Sequence, residues 1–131
     1  MTRYVMAILV LMTALSPAAM AQQSNVPVAS GPDAEALIEN SKIPVVVQFE
    51  AEWCGPCRNM NPVLDGVAAS TSGRVKIIRI NVDSDAKLAN KYEIMSIPAY
   101  VMFKGGTAGP RQVGALSKDK LGQWINSSIG K

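Results

Sequence analysis

The sequence predicts an α/β fold: a mixed central sheet of about five strands with helices on both faces. Two observations set the class. Apolar, β-branched runs at 45–50 and 75–82 alternate with helix-period runs at 58–69 and 85–92, and such alternation implies parallel pairing through right-handed crossovers. Two later runs, 99–103 and 111–113, are separated by Gly105 and Gly106, which implies an antiparallel hairpin. A third observation places the chemistry. Cys54 and Cys57, the only two cysteines, fall at the junction between the 45–50 strand and the following helix.

The elements follow in order from local patterns. Val26, Pro27, Val28 and Ala29 form a short apolar patch, at most a ragged edge strand, because Pro27 cannot donate to a ladder. Gly31-Pro32-Asp33 reads as a turn with Asp33 as the cap of a short helix over 34–40, Leu37 and Ile38 pointing inward. The continuous run 45–50 suits a strand covered on both faces. The helix after Cys57 carries Met60, Leu64, Val67 and Ala68 at helical spacing, and Pro62 is expected to kink it. Asp83 or Ser84 is the expected cap of the 85–92 helix, in which Ala86, Ala89 and Tyr92 share a face. Ser96-Ile97-Pro98 reads as a turn, and Ser117 as the cap of a last helix over 118–129 with Leu121, Trp124 and Ile125 inward.

The first 21 residues stand outside this pattern. Arg3 supplies a positive start, residues 5–15 are almost wholly apolar, Pro17 breaks the run, and Ala19-Met20-Ala21 fits a small-x-small cleavage site. The expected organisation is a signal peptide over 1–21, cut after Ala21, and one domain over 22–131. The apolar run is shorter than the ~20 residues of a spanning helix, which favours cleavage over a retained anchor. The expected location is therefore extracytoplasmic, in a periplasm or beyond, where the cysteines meet an oxidising space. The remaining length suits a single core, and the expected state is a monomer.

The net charge is +3 and the charges are scattered, so nothing points to nucleic acid. The chain has no histidine, which excludes Cys–His nucleophilic pairs and His-bearing zinc sites. Two thiols are half of a four-ligand zinc site, and the other half would need a second chain. No metal and no cofactor is expected. A structural disulfide over so short a loop would constrain the unfolded chain little. The spacing and the strand-to-helix position point instead to a redox pair. A thiol at a helix start sits among unpaired N–H groups that favour the thiolate, the nucleophilic form. The thiolate attacks a disulfide, and the second thiol resolves the mixed disulfide.

At Trp53-Cys54-Gly55-Pro56-Cys57 the chain resembles the thioredoxin family. The lead-in Phe49-Glu50-Ala51-Glu52, the strand end Asn81-Val82-Asp83, the run from Ile97-Pro98 to Gly105-Gly106, and Val113-Gly114-Ala115-Leu116-Ser117 extend the resemblance from about residue 33 to the C-terminus. The resemblance implies a thioredoxin fold and thiol–disulfide exchange with protein substrates. It implies that Cys54 attacks, partly exposed, and that buried Cys57 resolves. It makes Pro98 a cis-proline beside the cysteines, Ile97 a backbone partner for the extended substrate, and Trp53, Gly55 and Pro56 the rim. It also gives Gly114 the task of letting a partner backbone approach.

Two positions depart from the family. Gln48 stands where a buried aspartate is usual, and Glu50 where a tryptophan is usual. Strand alternation puts both on one face, toward the redox helix. Glutamine cannot accept a proton, so Glu50 is a candidate for part of the acid–base task. The alternative is a solvated strand-end carboxylate beside a hydrogen-bonded amide. Arg79, where a lysine is common, then needs a partner, either Glu50 or water. The Gly55-Pro56 spacer resembles reducing members, so reduction of protein disulfides is the expected direction. An exported reductant implies a membrane thiol donor of electrons. The competing expectation is a docking or assembly module without redox turnover.

Overall fold

Residues 45–49 are all buried, so the strand they form, β1 (Val45–Glu50), needs cover on both faces and a neighbour at each edge. The computed structural model describes residues 24–130 and shows both. β1 pairs in parallel with β2 (Lys76–Asn81) and antiparallel with β3 (Ala99–Lys104). β4 (Thr107–Val113) adds to β3 antiparallel, giving a four-stranded sheet in the order β2-β1-β3-β4.

The helices are α1 (Gly31–Asn40), α2 (Gly55–Asn59), α3 (Asn61–Ser70), α4 (Ala86–Lys91) and α5 (Lys118–Ile129). Ala34 and Ile38 of α1 and Leu88 of α4 pack against Val45, Val47 and Phe49 on one face of the sheet. Tyr92 closes that core, edge-on to Phe103 with ring centroids 4.9 Å apart. Leu64 and Val67 of α3 and Leu121 and Ile125 of α5 cover the other face with Val46, Tyr100 and Met102. The mixed sheet with helices on both faces is thus as the sequence predicts.

Four details differ, each for a local reason. The fifth strand reduces to one bridge, Val28 to Arg79, because Pro27 offers a carbonyl but no N–H. Arg79 N–H donates to Pro27 O at 2.8 Å and Ala29 N–H to Arg79 O at 2.9 Å. The third strand–helix alternation does not return parallel. A parallel crossover would have to carry the chain back along the sheet, whereas the 6 residues of α4 rise only about 9 Å. The chain instead turns through Glu93, at φ 55°, and re-enters as antiparallel β3.

The expected kinked helix is two helices that break at Met60. The Pro62 ring would crowd the Arg58 carbonyl in a continuous helix, and it sits instead in the first turn of α3, where no N–H is needed. β4 begins at Thr107, earlier than the expected 111, and a bulge between Val101 and Phe103 adjusts its register. Gly105 and Gly106 hold φ of 57° and 81° in the connecting turn, the left-handed region that glycine adopts freely.

The caps also shift. α1 starts after Ser30 and carries Asp33 in its first turn. Asp85, rather than Asp83 or Ser84, caps α4. Its Oδ1 accepts from Leu88 N–H at 3.4 Å, and its Oδ2 accepts from Gly31 N–H at 2.6 Å, tying the starts of two helices together. Ser117 caps α5 as expected, accepting from Lys120 N–H at 3.2 Å. The expected signal peptide over 1–21 and its cleavage site lie outside the described residues. Among the described residues no helix is long and apolar enough to cross a membrane.

Asp85→Ala is expected to lower unfolding free energy by about 2 kcal/mol, since a cap and a second buried acceptor are lost together. Chemical denaturation checks it. The Tyr100 hydroxyl is buried without a hydrogen-bond partner among the described residues, and burial pushes its phenol well above the usual range. Because the fold favours the neutral phenol, its contribution is intact below pH about 10 and is lost progressively as pH rises beyond that. Tyr100→Phe is expected to raise stability by up to about 1 kcal/mol and to flatten the alkaline part of the stability curve.

Candidate active site

The end of β1 delivers the redox pair. Cys54 N–H donates to Ala51 O at 3.1 Å, a tight turn that stops the strand and makes Cys54 the cap of α2. The Cys57 N–H donates to Cys54 Sγ at 3.2 Å. The two cysteines are joined as a disulfide, their Cα atoms 5.2 Å apart. Only the first-turn N–H groups of a helix act strongly on a thiolate at its start, so the short length of α2 weakens the site little.

Cys54 is 4 % exposed and Cys57 1 %. Cys54 is therefore more covered than the resemblance implies. Ala51 packs with the pair, and Val82 and Ile97 close over it. The rim is open by contrast. Trp53 is 68 % exposed, and its Nε1–H donates to Asp83 Oδ2 at 2.7 Å, which pins the indole to the turn after β2. Pro56 is exposed and Gly55 half-buried. The Ile97–Pro98 peptide bond is cis. Gly114 N–H donates to Pro98 O at 2.8 Å, so the end of β4 anchors the cis turn. Gly114 holds φ 95°, and no atom lies within 4 Å of where a side chain would begin.

Gln48 and Glu50 share the face of β1 that looks toward α2 and α3, with Val46 of the second core. Gln48 is fully buried, between Arg79 on β2 and Tyr100 on β3 in the register of the sheet. Gln48 Nε2 donates to Glu50 Oε2 at 3.1 Å. A carboxylate only accepts, so the amide must present its nitrogen there, and Gln48 Oε1 is left buried without a partner among the described residues. Arg79 Nη1 lies 3.3 Å from Glu50 Oε1, and both side chains are largely covered. Arg79 thus pairs with Glu50 rather than with water. Its Nε–H donates to Val26 O at 2.9 Å, and Nη1 also reaches Asn61 Oδ1 at 3.5 Å.

Glu50, Arg79 and Asn61 line a cavity of about 480 Å³ together with Cys57, Arg58, Glu52, Ala51 and Ser24. The sequence reading did not single out Asn61 or Ser24, and it offered Asp83 as a helix cap rather than as a partner of Trp53. Asn61 lies four residues after Cys57, so helical spacing could have flagged it. No sequence signal links Trp53 to Asp83, or Ser24 to Asp65, whose Oδ1 accepts from Ser24 Oγ at 2.6 Å. Among the described residues no group of acidic or sulfur side chains could hold a metal ion.

The Thioredoxin family model matches residues 26–127. The chain belongs to the thioredoxin family. It is a thiol–disulfide oxidoreductase of the protein-disulfide reductase kind, with a redox disulfide in CxxC spacing. It is 41% identical over 97 residues to a thioredoxin of Haemophilus influenzae, covering 74% of this chain and 91% of that one. A thioredoxin of Rickettsia felis is 39% identical over 89 residues, covering 68% of this chain and 85% of its own. Among solved structures, one from a study of thiol resolution in yeast mitochondrial 1-Cys peroxiredoxin by glutathione/thioredoxin systems superposes with a TM-score of 0.71. At 24% identity, over 79% of this chain and 95% of that one, it supports the thioredoxin fold.

Arg79→Met alone is expected to destabilise by about 3 kcal/mol, because it strands a largely covered Glu50 carboxylate. Glu50→Met with Arg79→Met is expected to cost less than the sum of the two single changes, by about 1 kcal/mol or more. Equilibrium unfolding of the four proteins in a double-mutant cycle measures the coupling.

Proposed function

We propose that this chain is an exported reductant of protein disulfides in which Cys54 attacks and Cys57 resolves. The observation that carries the assignment of roles is the local geometry. Cys54 caps α2 and its sulfur accepts the Cys57 N–H, a donor that favours the thiolate at Cys54 once the pair is reduced. The Cys54 thiolate attacks one sulfur of the substrate disulfide, and the other leaves as a thiolate. Cys57 then attacks Cys54 Sγ in the mixed disulfide and releases the second substrate thiol. Ile97 and Pro98 hold the extended substrate backbone. Trp53, Gly55 and Pro56 form the rim against which it rests, and Gly114 leaves the far side open.

Export rests on the pattern of Arg3, the apolar run over 5–15 and Ala19-Met20-Ala21. A reductant outside the cytoplasm needs its dithiol restored there, so the partner that supplies electrons is a membrane thiol protein. The protein works as a monomer, since an extended substrate chain is taken by one rim and one turn.

With dithiothreitol as electron source, the protein is expected to accelerate insulin reduction, and Cys54→Ser to fall to the uncatalysed rate. Equal activity of Cys54→Ser and wild type would instead favour a docking module. The reduction potential of the pair is expected nearer that of reducing dithiols, about −270 mV, than that of strong oxidants, about −120 mV. For export, expression of the full chain in a Gram-negative host, fractionation and N-terminal sequencing are expected to give a periplasmic protein beginning at Gln22. Recovery of the intact chain from the cytoplasm would overturn that part.

A further inference from the structure

We propose that Glu50 is the proton acceptor for Cys57 in the resolving step, with Arg79 and Gln48 as the positioning residues that aim its carboxylate into the cavity beside that thiol. The inference rests on the exchange reaction above and assigns a role within it. Four charged side chains line the cavity: Glu50 from β1, Arg79 from β2, Arg58 from α2, and Glu52 from the connecting turn. Asn61 from α3 and Ser24 add neutral polar groups. Tyr100, which faces Gln48 from β3, is held as the neutral phenol by burial. Arg58 and Arg79 cannot accept a proton, and Gln48 cannot either. Glu52 is exposed and its backbone carbonyl is held by Arg58. Glu50 is the largely covered carboxylate of the set, and both its oxygens are engaged, one by Gln48 and one by Arg79. A carboxylate fixed in this way meets its target in one orientation.

The step balances as follows. After Cys54 has formed the mixed disulfide, Cys57 carries its thiol proton. Glu50 takes that proton, directly or through one water, for which a polar cavity of this size has room. The Cys57 sulfur attacks Cys54 Sγ, the bond between Cys54 and the substrate breaks, and the departing substrate thiolate receives the proton from Glu50 or solvent. No external oxidant or reductant enters the step.

Two effects of a carboxylate beside a thiol have opposite signs, and they separate the proposal from its alternative. As a like charge alone, Glu50 would disfavour the Cys57 thiolate, so its removal would speed resolution. As a base, its removal slows resolution. Reduced full-length protein mixed with 5,5′-dithiobis(2-nitrobenzoate) releases one thionitrobenzoate when Cys54 attacks and a second when Cys57 resolves. In Glu50→Gln, which keeps the side-chain length, the second phase is expected to slow about 10- to 100-fold relative to the first at neutral pH. Its remaining rate is then expected to rise more steeply with pH than that of wild type, because hydroxide has to take the Cys57 proton instead. Glu50→Asp, which keeps the carboxylate, is expected to recover part of the loss. A second phase unchanged or faster in Glu50→Gln overturns the proposal, as does equal slowing of both phases. Absence of the first phase in wild type would instead overturn the exchange reaction itself.

Discussion

Strand β1 has no solvent face, and the rest of the molecule is arranged around that constraint. Its odd-numbered residues, Val45, Val47 and Phe49, fill one core and Val46 the other. A strand placed in this way must be hydrogen-bonded at both edges, which β2 and β3 do, and covered by helices on both sides. The same strand ends at the redox pair. The rigidity that follows from its double burial is therefore inherited by Ala51 and Cys54, and the disulfide stands on a support with little freedom to shift.

A polar residue in such a strand has few solutions. Gln48 cannot reach water, and each of its amide groups needs a partner or costs on the order of 1–3 kcal/mol. Glu50, two residues on and on the same face, accepts from its nitrogen. Glu50 is in turn neutralised by Arg79, whose side chain is itself fixed by Val26 O and Asn61. The chain from Gln48 through Glu50 to Arg79 is thus one unit. A charge of either sign in it would be expensive alone, and together they are tolerable. Among the described residues Gln48 Oε1 has no partner, nor has the hydroxyl of Tyr100 opposite it on β3, and there the unit stops short of full satisfaction.

Much of this was legible in the sequence, because burial writes itself into periodicity. The run from Val45 to Phe49, the helical spacing of Leu64 and Val67, and the Gly105-Gly106 turn each report a local preference that the fold obeys. The placement of Gln48 and Glu50 on one face followed from alternation alone. What could not be read depends on length and on distant partners. The direction of β3 turns on how far α4 can carry the chain, a matter of a few residues at a helix end. Pro62 was legible as a disturbance but not as a full break. The Trp53–Asp83 bond, the second Asp85 oxygen that holds Gly31 while the first caps α4, and the Ser24–Asp65 bond join residues far apart in the chain, and no local pattern encodes them.

The N-terminal segment ties these threads together. Ser24 hydrogen-bonds Asp65 on α3 and lines the cavity that holds Glu50 and Cys57. Val26 and Pro27 give their carbonyls to Arg79. If the chain is cut after Ala21, as proposed, Ser24 becomes its third residue, and the anchored domain begins almost at the cut. A leader must be separable without loss of core, and the first groups that the domain cannot spare are those that hold Arg79. The boundary between removable leader and folded domain then coincides with the wall of the redox cavity. Loss of residues 22–24 would break the Ser24–Asp65 bond, and loss through Val26 would loosen Arg79 and, through it, the Glu50 carboxylate that lines the cavity with Cys57.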